Sequence, residues 1–425
     1  MAAQSPATTT VIAVGTLDTK LTEFLYLRSQ ILEADPSINV ILIDAGRSET
    51  KHEAITISQP EVLKATGASE GSLESLPRGD VVKTMIEGAK LIIGDLVNAG
   101  KVHGVVALGG SGGTSIAAAA MRELPLTLPK LIVSTVASGD TSSYVAESDI
   151  TMMYSVVDIA GLNDVLRAVV ANAAAAIAGM ARGYAARRMR ETGEERRKKC
   201  VAITMFGVTT PAVTIARERL EEMGFEVYVF HATGAGGRAM ERLLREGRLD
   251  GVLDLTTTEL ADELVGGVMS AGEDRLTTAA KTGVPQIVSV GALDMVNFGP
   301  KDTVPEKFSD RKFFEHNPSV TLMRTTREEC EELGKRIANR LRTNCVNPEA
   351  IEVWLPLKGV SVIAVEGEAF FDKKADEALF GAIRTGLDGS GIAVKEVDTH
   401  INSPKWAESI AQQLADLAGR VGKGY

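Results

Sequence analysis

VVALGGSGGTSIAAA, residues 105–119, decides the fold. An apolar, β-branched run passes through four glycines, a serine and a threonine into a run of alanines. That is a β-strand entering a helix through a glycine turn. Its apolar residues are consecutive rather than alternating, as a parallel strand covered on both faces requires. The glycines leave two readings. They form either a tight strand-to-helix turn, or a cradle in which bare backbone amides and a helix N-terminus approach an oxyanion. The Gly-Lys-Ser/Thr ending of a Walker loop is missing, and so is the spaced G-x-G-x-x-G of dinucleotide folds. A turn alone has little need of four glycines, which favours the anion reading.

Working outward, the same pattern recurs. Strands are predicted at 10–14, 39–44, 104–108, 130–135 and 150–155, with helices near 19–33, 80–99, 114–123 and 161–190. The arginine- and lysine-rich run RGYAARRMRETGEERRKKC (182–200) reads as a solvated helix end leading into a linker, and the pattern then restarts. Further strands are predicted at 201–206, 226–230, 251–255, 285–290 and 391–400. Helices are predicted at 211–223, 236–247, 258–269, 326–342, 373–388 and 404–419. At 425 residues the chain exceeds the size at which one core stops growing. The expected architecture is therefore α/β, with two consecutive Rossmann-like subdomains, each a mostly parallel sheet flanked by helices. The junction is placed at 190–199, giving an N-terminal nucleotide-binding subdomain (1–195) and a C-terminal subdomain with a small-molecule pocket (200–425).

A formal net charge of −10 argues against a general nucleic-acid binder, which needs a basic surface to neutralise phosphates. Three scattered cysteines, Cys200, Cys330 and Cys345, give neither a disulfide framework nor a structural zinc site. The N-terminal MAAQSPATTT has no charged or apolar leader segment. The alanine-rich stretch 168–181 is read as too short to span a bilayer, so no membrane partner is expected. The expected location is the cytoplasm.

In open α/β sheets, ligands sit beyond the carboxyl ends of the strands. After the first predicted strand come Gly15, Thr16, Asp18, Thr19 and Lys20, where Asp18 reads equally as a helix cap or as a metal ligand. Arg47 follows the second strand and reads equally as a phosphate partner or as a solvated arginine. Gly109, Gly110, Ser111, Gly112, Gly113 and Thr114 form the glycine loop, and Ser134, Thr135, Ser138 and Gly139 a third small, hydroxyl-rich turn. In the second half, FHATGAGGRAME (230–241) repeats the glycine-before-helix pattern, with His231 and Arg238 beside it. Asp254, Glu259, Asp294 and Asn297 follow other strands. His231, Arg238, Asp254 and Asp294 are the candidate catalytic residues of a second cleft. Neither a G-x-S-x-G elbow nor H-E-x-x-H nor C-x-x-C is present.

Eight blocks in order carry a resemblance: VIAVGTLDTK, VVALGGSGGTS, LIVSTVASGDTSSYV, SVVDIAGLN, TMFGVTTPAV, VFHATGAGGRAME, DLTTTELAD and SVGALDMVNFGPK. Together they resemble the ATP-binding domain family of tomato mosaic virus resistance proteins, which also occurs in uncharacterised bacterial and fungal proteins. The likeness runs from about residue 10 to about residue 415. It implies a two-subdomain α/β protein that binds ATP with Mg2+ and self-associates as a homodimer. It matches Gly15, Thr16, Asp18, Lys20, the glycine loop and STVASG to the nucleotide-binding half. The plant member also binds a viral replication protein, a plant role not carried to this chain, and its further C-terminal barrel domain is expected to be absent here. The expected function is Mg-ATP binding, either as a module or as an ATP-dependent enzyme acting on an unidentified small molecule in an interdomain cleft. One alternative is a phosphotransferase resembling phosphofructokinases and NAD kinases, with Ser111 standing where their glycine loop has an aspartate. Another is an interaction protein in which ATP is structural.

Overall fold

The computed structural model describes residues 8–68, 77–191 and 198–421 and divides into units of residues 1–195 and 196–425. Much of the junction expected at 190–199 therefore lies outside the described residues.

The N-terminal unit runs β1 (Thr10–Gly15), α1 (Leu17–Ala34), β2 (Asn39–Asp44), α2 (Gln59–Ala65), α3 (Arg78–Asn98), β3 (Gly104–Gly109), α4 (Ser111–Arg122), β4 (Lys130–Ser134), α5 (Ser142–Val145), β5 (Thr151–Tyr154) and α6 (Asp164–Glu191). Its five strands are all parallel, in the order β2-β1-β3-β4-β5. The consecutive apolar residues of β1 and β3 are explained by two separate cores. Ile12, Val14, Val105 and Ala107 pack with Met85, Ile93, Ile116 and Met121 of α3 and α4. Val11, Ala13, Val106 and Leu108 face the other way, onto Phe24, Leu27, Leu166, Val170 and Ile177 of α1 and α6. The alanine-rich stretch expected to be too short to span a bilayer is the interior of the 28-residue α6. Among the described residues, α6 is the one helix long and apolar enough to cross a membrane. Here Leu166, Val170, Ala173, Ala174, Ile177, Ala178 and Ala181 form a buried stripe within the second core.

Two buried polar groups pin the edges of this unit. His103, just before β3, accepts the Thr10 amide on Nδ1 at 3.1 Å and so ties the starts of β1 and β3. Lys130 opens β4 fully buried. Its ammonium donates to the carbonyls of Pro125 and Leu128, each at 2.8 Å, and pairs with Asp149 at 2.6 Å.

The C-terminal unit runs β6 (Cys200–Met205), α7 (Thr210–Glu222), β7 (Glu226–His231), α8 (Ala235–Arg245), β8 (Gly251–Thr256), α9 (Glu259–Val265), α10 (Thr278–Thr282), β9 (Gln286–Gly291), β10 (Met295–Phe298), β11 (Phe313–Asn317), β12 (Val320–Arg324), α11 (Arg327–Asn344), β13 (Ile351–Pro356), α12 (Lys373–Leu387), β14 (Ala393–Val397) and α13 (Pro404–Val421). Its main sheet is parallel, ordered β7-β6-β8-β9-β13-β14, so its first four strands in sequence repeat the winding of the first sheet. The predicted α/β architecture holds in both units.

The short helices α2, α5 and α10 were not expected from the sequence, and three further features of the C-terminal unit differ from that reading. An antiparallel sheet, β10-β12-β11, is inserted between β9 and α11. Strand β13 was not expected, because Glu352 interrupts its apolar run. The fold accommodates that carboxylate with hydrogen bonds from the Trp354 indole and Gln413, both at 2.8 Å. The helix expected to run to 269 ends at Val265, where Gly266 turns left-handed at φ 97°. All three cysteines are free.

Candidate functional site

The order of the first sheet reverses between β1 and β3. In a doubly wound sheet this is where the loops diverge and leave a crevice. A cavity of about 490 Å³ opens there. Three chain segments build its polar side. In the β1–α1 turn, Gly15 is glycine for packing, since a Cβ there would lie 2.1 Å from the Phe24 ring. Thr16 and Thr19 share a hydroxyl contact at 3.3 Å, and the Thr16 side chain makes no capping hydrogen bond to α1. Lys20 breaks the helix (φ −133°, ψ 18°), which kinks α1 at the residue lining the cavity.

The second segment follows β2. Fully buried Asp44 accepts the amides of Leu17 (3.1 Å) and Gly46 (2.9 Å) on Oδ1 and that of Thr50 (3.2 Å) on Oδ2. Burial pushes its carboxyl pKa up, against the pull of those amides. Asp18 is an acceptor too: its Oδ2 takes the Arg47 amide at 3.1 Å and the Ser48 amide at 3.4 Å. The two carboxylates therefore shape one loop and present exposed Arg47 to the cavity.

The third segment is the glycine loop. Gly109 has no room for a Cβ, which would sit 2.8 Å from the Gly113 carbonyl carbon and the Thr114 amide nitrogen. Gly112 meets nothing within 4 Å. Thr114 is buried, with its hydroxyl 2.7 Å from the Ser134 hydroxyl, so these two residues bolt the loop to β4. Gly110 is the N-cap of α4, and no side chain accepts from the first amides of the helix. The amides of Ser111, Gly112 and Gly113 thus belong to the turn in which a helix leaves donors without intrahelical partners. Val81, Val82 and Met85 of α3 and Ile116 of α4 add an apolar wall to the lining.

Of the residues singled out from sequence, Thr16, Asp18, Thr19, Lys20, Arg47, Gly110, Ser111, Gly112 and Gly113 line this cavity. Gly15, Gly109, Thr114 and Ser134 stand behind it as scaffold. Thr135 is half-buried beside Gly110, whereas Ser138 and Gly139 are exposed and outside the lining. Sequence reading missed Asp44 and the apolar wall. An aspartate closing an apolar strand and followed by Ala-Gly was the signal for the first. The wall gave none, because helix core positions look alike until the fold places them.

The catalytic candidates of the C-terminal unit separate into three places. His231 is exposed at the end of β7, its ring edge-on to Phe206 at 5.4 Å, and Arg238 donates to the Ser270 carbonyl at 2.9 Å. Asp254 is fully buried, paired with Arg275 at 2.6 Å and accepting from Gln286 at 2.7 Å; Glu259 shares that arginine. Asp294 lies in another buried cluster, accepting from the Ser361 hydroxyl at 2.8 Å, and burial pushes its pKa up. Asn297 donates to Asp262. Burial raises Asp262 to about 7 despite amide hydrogen bonds from Asn297 and Met269. Asp254, Glu259, Asp294 and Asn297, expected to line a second cleft, are thus all buried and engaged with internal partners.

Comparison with known proteins places these loops in a family. A family model described as the N-terminal domain of an uncharacterised protein family, UPF0261, matches residues 9–186, and the model of its C-terminal domain matches 198–418. A UPF0261 protein of Clostridium tetani is 45% identical over 96% of this chain and 98% of its own length. The tomato ToMV susceptible protein tm-1(GCR26) is 39% identical and the ToMV resistance protein Tm-1(GCR237) 38%, over 97% and 96% of this chain. The match spans 56% of each tomato protein. A solved Streptomyces glycosyltransferase overlaps 95% of the chain at 11% identity, with a TM-score of 0.16.

Proposed function

The chain belongs to the UPF0261 family, and we propose that its N-terminal unit binds a nucleotide polyphosphate, ATP with Mg2+, in the crevice between β1 and β3. One observation carries the reading: Ser111, Gly112 and Gly113, which open α4 without a side-chain cap, line one cavity together with Lys20 and Arg47. A helix N-terminus carries roughly half a positive charge, and two basic side chains add to it, so the cavity suits several negative charges held together. The apolar wall of Val81, Val82, Met85 and Ile116 gives the uncharged end of such a ligand a dry surface to pack on.

The donor set is compatible with magnesium carried on the phosphates. Mg2+ commonly keeps several waters and takes only one or two protein carboxylates alongside phosphate oxygens. Asp18 lines the cavity and is held in place through Oδ2. Among the described residues no group of three or more His, Cys, Asp or Glu side chains forms a cage for a bare metal ion. When bound, the ion would neutralise phosphate charge, while Lys20, Arg47 and the α4 amides hold and orient the chain of phosphates. The names of the tomato relatives refer to a virus, and no viral partner is proposed for this chain.

Isothermal titration with Mg-ATP tests the reading. Saturable heat is expected from the unaltered chain. Lys20→Ala combined with Arg47→Ala is expected to weaken binding by about tenfold or more, since a hydrogen bond to a charged group contributes about 1.5–3 kcal/mol. Absence of heat, or unchanged affinity after Gly112→Val with Lys20→Ala, overturns it.

A further inference from the structure

The glycine turn between β7 and α8 looks in sequence like a second phosphate loop, and the function proposed above makes no use of it. The amides of Gly234 and Gly237 donate to a single atom, Oε1 of Glu259, at 2.8 and 3.0 Å. Glu259 is 1% exposed, and its other oxygen accepts from Nε of the fully buried Arg275 at 2.7 Å. Only glycine permits this approach at 237, because a Cβ there would stand 2.2 Å from Oε2.

Topology explains where the carboxylate comes from. The second sheet reverses its order between β6 and β8 as the first does between β1 and β3. The helix after β8 begins at Glu259, and the helix after β3 begins at Ser111. Where α4 opens on serine and two glycines, α9 opens on a long acid that engages the neighbouring glycine turn.

We infer that Glu259 is a built-in ligand: its carboxylate occupies, within the same chain, the anion position of the α8 glycine turn. The C-terminal unit therefore takes no phosphoryl or carboxylate ligand at that turn, although it is wound like the N-terminal unit. This holds whether or not the N-terminal unit binds a nucleotide.

Arg275 also pairs with Asp254 at 2.6 Å and Glu241 at 3.5 Å. Burial opposes its charge, but the three carboxylates hold its pKa above the ordinary range. Removing the Glu259 carboxylate takes the hydrogen-bond acceptor from the guanidinium Nε and from two amides, in a space shaped for a carboxylate. Formate is the matching probe.

The experiment is thermal melting of the full chain in sodium formate against equal sodium chloride. Glu259→Ala is expected to melt below the unaltered chain and to regain most of that loss, saturably, in formate. The unaltered chain stays unmoved. Glu259→Gln keeps an acceptor oxygen and fills the space, so it should melt between the two and ignore formate. If the alanine variant does not fold, its refolding yield from urea is read instead and should rise in formate but not in chloride. Equal formate effects on all three proteins, or none on the alanine variant in melting and refolding alike, overturn the inference.

Discussion

Gly109 and Gly112 stand three positions apart in one loop and answer to different constraints. At Gly109 the constraint is packing, since a Cβ would press on backbone at 2.8 Å. Gly109→Ala should cost about 1–3 kcal/mol, the usual range for overpacking. Gly112 faces open space within the first turn of α4. Gly112→Ala should therefore leave stability unchanged or raise it by up to about 1 kcal/mol, through helix propensity and reduced chain entropy. It should nevertheless weaken Mg-ATP, because the methyl group stands where phosphate is proposed to approach. Urea denaturation and ligand titration on the same two variants separate the effects. Parallel losses in both measurements for Gly112→Ala would contradict the assignment. The sequence shows these glycines as equals, and it shows Lys20 and Arg47 as charges after strands. What distinguishes them is tertiary: the Phe24 ring under Gly15, and Asp18 and Asp44 gripping the loop that carries Arg47. The Asp18–Arg47 and Asp44–Leu17 hydrogen bonds join residues 29 and 27 positions apart, beyond the reach of local pattern.

At the scale of elements, the long parallel strands were legible because burial on both faces writes a continuous apolar run. The short antiparallel strands β10 to β12 were not. The four residues of β10 and the polar end of β11, Glu315 to Asn317, carry too little periodicity to stand out from loop. The pairing of β1 with β3 carries its own pH dependence through His103. Burial, aided by the charge of Arg188, holds its imidazole below the ordinary histidine value. The folded unit uses the neutral ring, whose Nδ1 accepts the Thr10 amide. The unfolded chain takes up its proton near pH ~6.5, the ordinary value, so it binds more protons than the folded state just below that pH. Stability contributed by His103 is thus complete above that range and falls as pH drops through it. His103→Asn offers an acceptor in place of Nδ1 and does not titrate. It should flatten the fall in urea midpoint between about pH 7 and about pH 5. An unchanged slope would remove His103 as the cause.

For the molecule as a whole, two units with the same winding have separate cores, one pair around β1 and β3 and another around β8, β9 and β13. The proposed nucleotide site draws every lining residue from the first unit. Residues 1–195 expressed alone should therefore fold and bind Mg-ATP as tightly as the full chain. A fragment that folds, by circular dichroism, yet gives no heat while the full chain does, would show that the site needs the second unit. The doubling of the architecture was legible from alternating strand and helix patterns. The closure of the second glycine turn was not, because Glu259 reads as an ordinary acid at a helix start. One further residue gives the first unit a chemical clock. The amine of Lys130 is a nucleophile only when it sheds its proton and meets solvent. In the fold it is sealed at the head of β4 between two carbonyls and Asp149. Acylating reagents will modify the surface lysines in the first moments and Lys130 only when this part of the sheet comes apart. The rate at which that one amine becomes labelled reports how often the strand opens.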